Sequence, residues 1–398
     1  MKTFMFTSAR VAVAGLAAGG LLLAACIGSP APASVTAPAT ASATAAATNT
    51  PEPSAGLLTG VNLAGADFTA VAELPGIYGQ TYTYPTTAEV DYFMAQGMNI
   101  FRVPFAWENL QRTQMGELEP DELARLDEIV GYATGQGARV ILDPHNYARY
   151  YGKVVGAEVP AAAFADFWGR LAAHYAGNAR VIFGLVNEPN TRSTEVWLGD
   201  ANAAIAAIRA VGAGNLVLVP GNAWTGAATW EESWYGTPNA QVMLGVVDPS
   251  DNYAYEVHQY LDEDASGRSE TCVSRSVGSE RLAVFTAWLR AHGRRGFLGE
   301  FAGGRNADCY AALDDMLSAV EDNADVWLGW TYWAAGPWWG EYLFTVEPVN
   351  GAERPQLAVL RRHAGGAGRC GRAGGAGSAR SLAQPGRRPT FPNAPVFD

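Results

Sequence analysis

The sequence predicts a single-domain α/β fold of the (β/α)8 barrel type. Strand-like and helix-like patterns alternate eight times within residues 56–363. The apolar run Val181-Ile182-Phe183-Gly184-Leu185-Val186 reads as a strand buried on both faces, as in parallel sheets, and it ends in Asn187-Glu188-Pro189. No glycine-rich phosphate loop follows the first strand, as an open doubly wound sheet would usually carry.

The run before Pro189 organises the rest. Proline lacks an N–H and biases the residue before it towards extended geometry, so the strand is expected to end there. Glu188 then stands at the carboxyl end of a buried strand, the face on which barrels build their sites. A carboxylate there is costly unless something uses it. Taken alone, Asn187-Glu188-Pro189 fits a strand that ends in a solvated loop glutamate equally well.

The elements follow in order. Residues 60–66 read as a first strand, and 87–97 have helical spacing that ends on a glycine. In the second strand, 99–107, Ile100, Phe101, Val103 and Phe105 surround Arg102. The helix 121–137 places Leu123, Leu126, Ile129, Val130 and Ala133 on one face. The third strand, 139–146, carries Asp143 and His145 near its end, and helix 160–175 precedes the strand of Glu188. An alanine-rich helix, 194–211, leads to strand 216–219 and Pro220-Gly221-Asn222. After a tryptophan-rich connection come strand 253–260, helix 280–292, strand 296–301, helix 310–320, strand 326–333 and a last helix from Gln356. This alternation fits a closed barrel better than an open sheet.

The flanks differ in composition. Lys2 and Arg10 form a positive region before an apolar stretch, 11–23, too short to span a bilayer, so residues 1–25 read as an export signal. Leu23-Ala24-Ala25-Cys26 resembles the bacterial lipoprotein box, in which the cysteine becomes the lipidated first residue. The alternative is an ordinary secretion signal with Cys26 incidental. Residues 26–55 are mostly Ala, Pro, Thr and Ser and read as an extended linker. Cys26 goes to lipid and Cys370 lies in the tail, which leaves Cys272 and Cys309 to pair in an exported protein. The tail, 364–398, is rich in glycine and arginine, reads as disordered and is given no function. The chain as a whole carries a net charge of −12, which argues against nucleic acid as a partner.

The expected strand ends carry Arg102, His145 with Asn146, Asn187 with Glu188, Asn222, His258 with Tyr260, Glu300 and Trp333. Each alone has a packing explanation. Together they converge on one site. Glu188 and Glu300 stand out, because paired carboxylates with polar support are the equipment of glycoside hydrolysis. One must be protonated to donate to the leaving oxygen and the other ionised to attack the anomeric carbon. Arg102 would favour the ionised form of the attacking carboxylate, Tyr260 would hydrogen-bond it, and Asn187 would hold the sugar 2-hydroxyl. No nucleophile elbow and no cluster with metal-ligand spacing is visible, so neither metal nor cofactor is expected.

These stretches carry a resemblance. Gly60-Val61-Asn62-Leu63-Ala64-Gly65, Ile100-Phe101-Arg102-Val103-Pro104, Asp143-Pro144-His145-Asn146-Tyr147-Ala148-Arg149-Tyr150, Val186-Asn187-Glu188-Pro189, Pro220-Gly221-Asn222-Ala223-Trp224, Val257-His258-Gln259-Tyr260-Leu261-Asp262, Gly299-Glu300 and Trp333 run in order through the globular part. The chain resembles the family 5 glycoside hydrolases, in particular the endoglucanase subfamily shared by fungi and plant-associated bacteria. The resemblance implies Glu188 as acid/base and Glu300 as nucleophile in a retaining mechanism, with Arg102, His145, Asn187, His258, Tyr260 and Trp333 shaping the subsite of the attacked sugar. Asn146 belongs with them, and Trp107, Tyr147 and Trp224 are expected at neighbouring subsites. One stretch departs from the subfamily: Gly299 precedes the nucleophile where threonine is expected.

The reading is an exported, monomeric endo-β-1,4-glucanase acting on cellulose-type β-1,4-glucan, secreted or held at the cell surface, with a membrane reached only through lipid at Cys26. A mannan, xyloglucan or mixed-linkage glucan hydrolase of the same fold is the alternative. A non-catalytic glucan-binding surface lipoprotein is the alternative of another class.

Overall fold

The computed structural model describes residues 56–365. The export signal, Cys26, the linker as far as Ala55 and the tail beyond Gly365 lie outside the described residues. Within them the chain runs β1 (Leu58–Leu63), α1 (Thr87–Met94), β2 (Ile100–Phe105), α2 (Trp107–Leu110), α3 (Pro120–Gly135) and β3 (Arg139–Pro144). A small hairpin of β4 (Arg149–Tyr150) and β5 (Lys153–Val154) follows, then α4 (Ala161–Tyr175), β6 (Val181–Gly184), α5 (Thr194–Ala210), β7 (Val217–Pro220) and α6 (Asn239–Val242). The chain continues through β8 (Tyr253–His258), α7 (Val277–Ala291), β9 (Gly296–Glu300), α8 (Ala307–Asp322), β10 (Trp327–Ala335) and α9 (Leu357–His363). The strands β1, β2, β3, β6, β7, β8, β9 and β10 close into a parallel barrel, with β10 returning to β1. The expected (β/α)8 architecture is present, with boundaries shifted by a few residues. The hairpin β4–β5 has strands of two residues each, too short to leave a periodic signal.

Strand alternation builds the barrel interior in layers. Side chains two residues apart share a face. Ile100, Ile141, Ile182, Leu218, Ala254 and Phe297, one from each of six strands, form an apolar plug. Two residues further along the same strands come Arg102, Asp143, Gly184, Pro220, Glu256 and Gly299. The interior therefore changes from hydrocarbon to buried charge within one layer. The outer face of each strand packs on helices whose apolar residues recur at helical spacing, as Leu126, Ile129, Val130 and Ala133 do on α3.

Two departures from regular strand geometry bear on the site. The strand expected to reach Pro189 leaves the barrel ladder at Gly184, and Glu188 has φ +43°, in the left-handed region and not extended. Proline's bias against right-handed helical geometry is met there instead. The turn is fastened by its own polar groups. Asn190 donates Nδ2–H to the Glu188 carbonyl (3.1 Å), and the Trp224 amide donates to the Pro189 carbonyl (3.1 Å). The second departure is in β9, whose register against β8 slips so that Val257 pairs Leu298 but His258 pairs Glu300. Gly299 is the extra residue of a β-bulge. Strict alternation from Phe297 would send Glu300 outwards, and the bulge turns it into the barrel.

Trp107, expected at a sugar subsite, is instead a core residue. It is fully buried at the start of α2 and packs on Tyr150, Phe164 and Phe167 with ring centroids 4.6–5.7 Å away. Its indole N–H donates to Gln111 Oε1 (2.9 Å). The turn into α2 carries the side chain to the helix side of the barrel.

Cys272 and Cys309 form a disulfide, 37 residues apart in sequence. It joins the connection after β8 to the first turn of α8, which follows β9. The loop-entropy model gives it roughly 3–4 kcal/mol. Trp107→Ala should cost about 3–5 kcal/mol in urea unfolding, the cost of a large core truncation. A change within about 0.5 kcal/mol would mark the side chain as a surface residue.

Candidate active site

The site is built upward from Arg102. Its guanidinium is fully buried and meets three carboxylates: Asp143 Oδ2 (3.0 Å from Nη2), Glu256 Oε1 (3.0 Å from Nε) and Glu300 Oε1 (2.7 Å from Nη1). Its remaining donor capacity goes to Asn62 Oδ1 and Asn187 Oδ1, both at 2.9 Å. Burial alone would lower the arginine pKa, but the carboxylates outweigh it and raise the value. Asn62 in turn donates to the Gly299 carbonyl (2.9 Å), and the Thr331 hydroxyl donates to the same oxygen (2.6 Å). The bulge that aims Glu300 is thus held through its backbone.

Glu300 and Glu188 share a chamber but not an environment. Glu300 accepts from Arg102 and from the Tyr260 hydroxyl (2.8 Å, to Oε2). Burial pushes its pKa up, but the charges of His258, Arg102 and His145 and the Tyr260 hydrogen bond outweigh burial and hold it below the ordinary carboxylate value. Glu188 has no arginine. Burial raises its pKa, Glu300 nearby adds to the rise, and a hydrogen bond from His258 only partly opposes it. His258 Nδ1 lies 2.8 Å from Glu188 Oε1 and 3.6 Å from Glu300 Oε2. Burial disfavours the imidazolium, yet Glu300, Glu188 and Glu256 together push its pKa up to about 10. One carboxylate oxygen from each of Glu188 and Glu300 and a ring nitrogen of His258 all lie within 4.8 Å of one another. Such a trio has the donor atoms a cation would need. Here His258 is hydrogen-bonded to Glu188 and lies beside Glu300.

His145 faces Asp143 through Nδ1 (2.8 Å), which raises its pKa against the opposing effect of burial. The Trp333 indole stacks on the imidazole, with centroids 5.2 Å apart and planes 16° from parallel. Tyr147 meets the same imidazole edge-on at 5.7 Å. Arg102, His145, Asn187, Glu188, His258, Tyr260, Glu300, Trp333 and Tyr147 are therefore gathered at one end of the barrel. Asn187 Nδ2 is buried without a protein partner, which leaves a donor free for a bound molecule.

The other two expected residues sit in the connections after β3 and β7. Asn146 donates Nδ2–H to the Arg149 carbonyl and so fastens its own loop, while its Oδ1 is buried without a protein partner. Trp224, 40% exposed, lies at the rim, with its ring 6.1 Å from Trp234 and 5.9 Å from Tyr235. It sits in a run of three left-handed residues, Ala223, Trp224 and Thr225 (φ 52–56°), a strained arrangement held by Thr225 Oγ1, which accepts from the Gly221 amide and donates to the Glu256 carbonyl.

Asn62, Asp143 and Glu256 belong to the site without having been assigned roles. The signal for two of them was spacing. Asp143 precedes His145, and Glu256 precedes His258, by two residues on a strand, which puts each pair on one face.

With this geometry in view, known proteins can be compared. The cellulase model, glycosyl hydrolase family 5, matches residues 59–336. An endo-β-1,4-glucanase from Xanthomonas axonopodis pv. citri superposes with a TM-score of 0.77 at 47% identity, covering 78% of this chain and 100% of that one. XacCel5A in complex with cellopentaose gives a TM-score of 0.76 at 47% identity, covering 77% and 99%. Endo-β-1,4-glucanase A of Emericella nidulans is 44% identical over 303 residues, which are 75% of this chain and 90% of that protein. The two polarised glutamates at the mouth of a closed barrel are the equipment of a glycoside hydrolase, and the chain belongs to the cellulase family, glycosyl hydrolase family 5.

Proposed function

We propose that the chain is an exported endo-β-1,4-glucanase that cleaves internal bonds of cellulose-type glucan with retention. The observation that carries the reading is the opposite displacement of the two glutamates. In one chamber, Arg102, His258 and Tyr260 hold Glu300 below the ordinary carboxylate value, and burial holds Glu188 above it. In the first step a Glu300 oxygen bonds to the anomeric carbon as the bond to the leaving sugar breaks, and Glu188 gives its proton to the departing oxygen. In the second, Glu188 takes a proton from water, the water oxygen bonds to the anomeric carbon, and the bond to Glu300 breaks. Retaining pairs stand about 5–5.5 Å apart and inverting pairs about 6.5–9.5 Å. Carboxylate oxygens within 4.8 Å favour the retaining order. The free Asn187 donor supports a contact to the sugar 2-hydroxyl. Trp333 supports a platform under the attacked sugar, and Trp224 and Tyr147 support flanking contacts.

Cellulose-type glucan is favoured because the similar proteins are named as endo-β-1,4-glucanases and one was solved with cellopentaose. Release of reducing ends should be greatest on soluble β-1,4-glucan among a panel with mannan, xyloglucan and mixed-linkage glucan. Preferential release from mannan would replace the substrate and leave the mechanism. The leader, the Cys26 motif and the 26–55 linker support export with a lipid tether. Labelling with a radioactive fatty acid should mark the wild type and not Cys26→Ser. Equal labelling would make the leader an ordinary secretion signal.

Glu300→Gln should abolish turnover and spare glucan binding. Glu188→Gln should lose about 10²–10⁴-fold on glucan but far less on a substrate whose leaving group needs no proton. Near-normal turnover by Glu300→Gln would remove it as nucleophile. The active form has Glu300 ionised and Glu188 protonated. Because Glu300 lies below its ordinary value and Glu188 above, the plateau of kcat/KM against pH should extend on both sides of the usual carboxylate range. Its acid limb belongs to Glu300 and its basic limb to Glu188, so the basic limb should vanish in Glu188→Gln.

A further inference from the structure

Glu256 is buried in β8, one layer below the two glutamates, and is not one of the residues proposed above to touch substrate. One of its carboxylate oxygens, Oε1, faces two cations at once: Arg102 Nε at 3.0 Å and His258 Nε2 at 3.6 Å. Both nitrogens and Glu256 Oε1 are buried and make no hydrogen bond within the described residues, so these contacts are ion pairs. The carboxylate can occupy this place because Gly299 has no side chain. A Cβ on Gly299 would stand 2.1 Å from Glu256 Oε1 and 2.9 Å from its Cδ and Cγ. Gly299 is also the bulged residue of β9.

We propose that Glu256 is a positioning residue for the reaction, seated in the opening left by Gly299, where its single oxygen fixes the Arg102 guanidinium and keeps the far nitrogen of His258 protonated. This rests on the roles given above to Glu188 and Glu300. With Nε2–H turned to Glu256, Nδ1–H is free to bridge Glu188 and Glu300, so the charge of the ring is set from below. The groups around the ring are Glu188 from the turn after β6, Glu300 from β9, Glu256 from its own strand, and Arg102 from β2 behind Glu256. His145, just after β3, and the Tyr260 hydroxyl act on it through the two glutamates. Without Glu256 the ring is left with two carboxylates on one side, one of them protonated in the active form. The charged ring is then less favoured, and its hold on acid and nucleophile weakens.

The test is the side-chain titration of His258 by NMR in the substrate-free protein, assigned among the five histidines by its loss in His258→Gln. In the wild type the ring should hold its proton well above the ~6.5 of free imidazole. Glu256→Gln keeps volume and removes charge, and should bring the titration down by at least about one pH unit. kcat should fall about tenfold with KM nearly unchanged, the pattern of a lost transition-state interaction. Gly299→Ala leaves Glu256 in place but displaces its carboxylate, and should move His258 in the same direction. A packing role for Glu256 would leave the titration where it was. An unmoved His258 in either folded variant overturns the proposal, as does an ordinary imidazole value in the wild type if neither variant folds. The titration is independent of the polysaccharide. Failure of Glu300→Gln to abolish turnover would instead overturn the assigned roles and leave the Glu256–His258 coupling standing.

Discussion

The site depends on one buried cation. Taking a guanidinium out of water costs several kcal/mol even after relaxation, and the barrel interior offers Arg102 no solvent. What makes it tenable is the ring of Asp143, Glu256 and Glu300, with Asn62 and Asn187 completing its donors. The dependence is mutual, because each of those carboxylates would be a buried charge without the arginine. Removing Arg102 would leave several groups unpaired at once, which is far more destabilising than the net worth of the pairs suggests. The layer also needs room. Gly184 and Gly299, at equivalent heights on β6 and β9, supply it by having no side chains beside Glu256.

Chemically identical side chains acquire different properties through the backbone that presents them. Glu300 is turned inwards by a bulge and lands on Arg102 and Tyr260. Glu188 is itself left-handed, after its strand has left the ladder, and among the described residues its carboxylate hydrogen-bonds only His258. Left-handed geometry costs roughly 1–2 kcal/mol for a residue with a Cβ. That cost is offset by the bonds around Asn190 and Trp224, so the loop carrying the rim tryptophan also fixes the proton donor.

Much of this was legible in the sequence, for identifiable reasons. Parallel strands buried on both faces leave unbroken apolar runs, so the barrel could be counted. A single arginine inside Ile100-Phe101-Arg102-Val103 was conspicuous because nothing in a buried strand tolerates it without partners. The partners on the same face of a strand, Asp143 and Glu256, follow from the same period of two. Trp107 was misplaced because composition cannot say which way a side chain leaves the end of a strand. The geometry of Glu188 and the bulge at Gly299 were hidden for one reason: both are decisions of the backbone. Propensity and pattern describe the average strand and not its exceptions.

Those exceptions need a rigid frame, and the frame reaches beyond the barrel. Tyr260 follows β8, outside the ladder that holds Glu300. Its backbone carbonyl accepts from Arg281 of α7, and the loop after it folds around Asp262, which accepts from the amides of Gly267, Arg268 and Ser269. That loop is then tied through Cys272 to Cys309 at the start of α8, whose N-cap Asn306 also holds the Glu270 carbonyl. A hydroxyl that must sit 2.8 Å from one carboxylate oxygen is thus placed by a helix, a carboxylate-centred turn and a covalent link. Loops carry function because they are free to vary, and that freedom is useful at this position only once it has been removed.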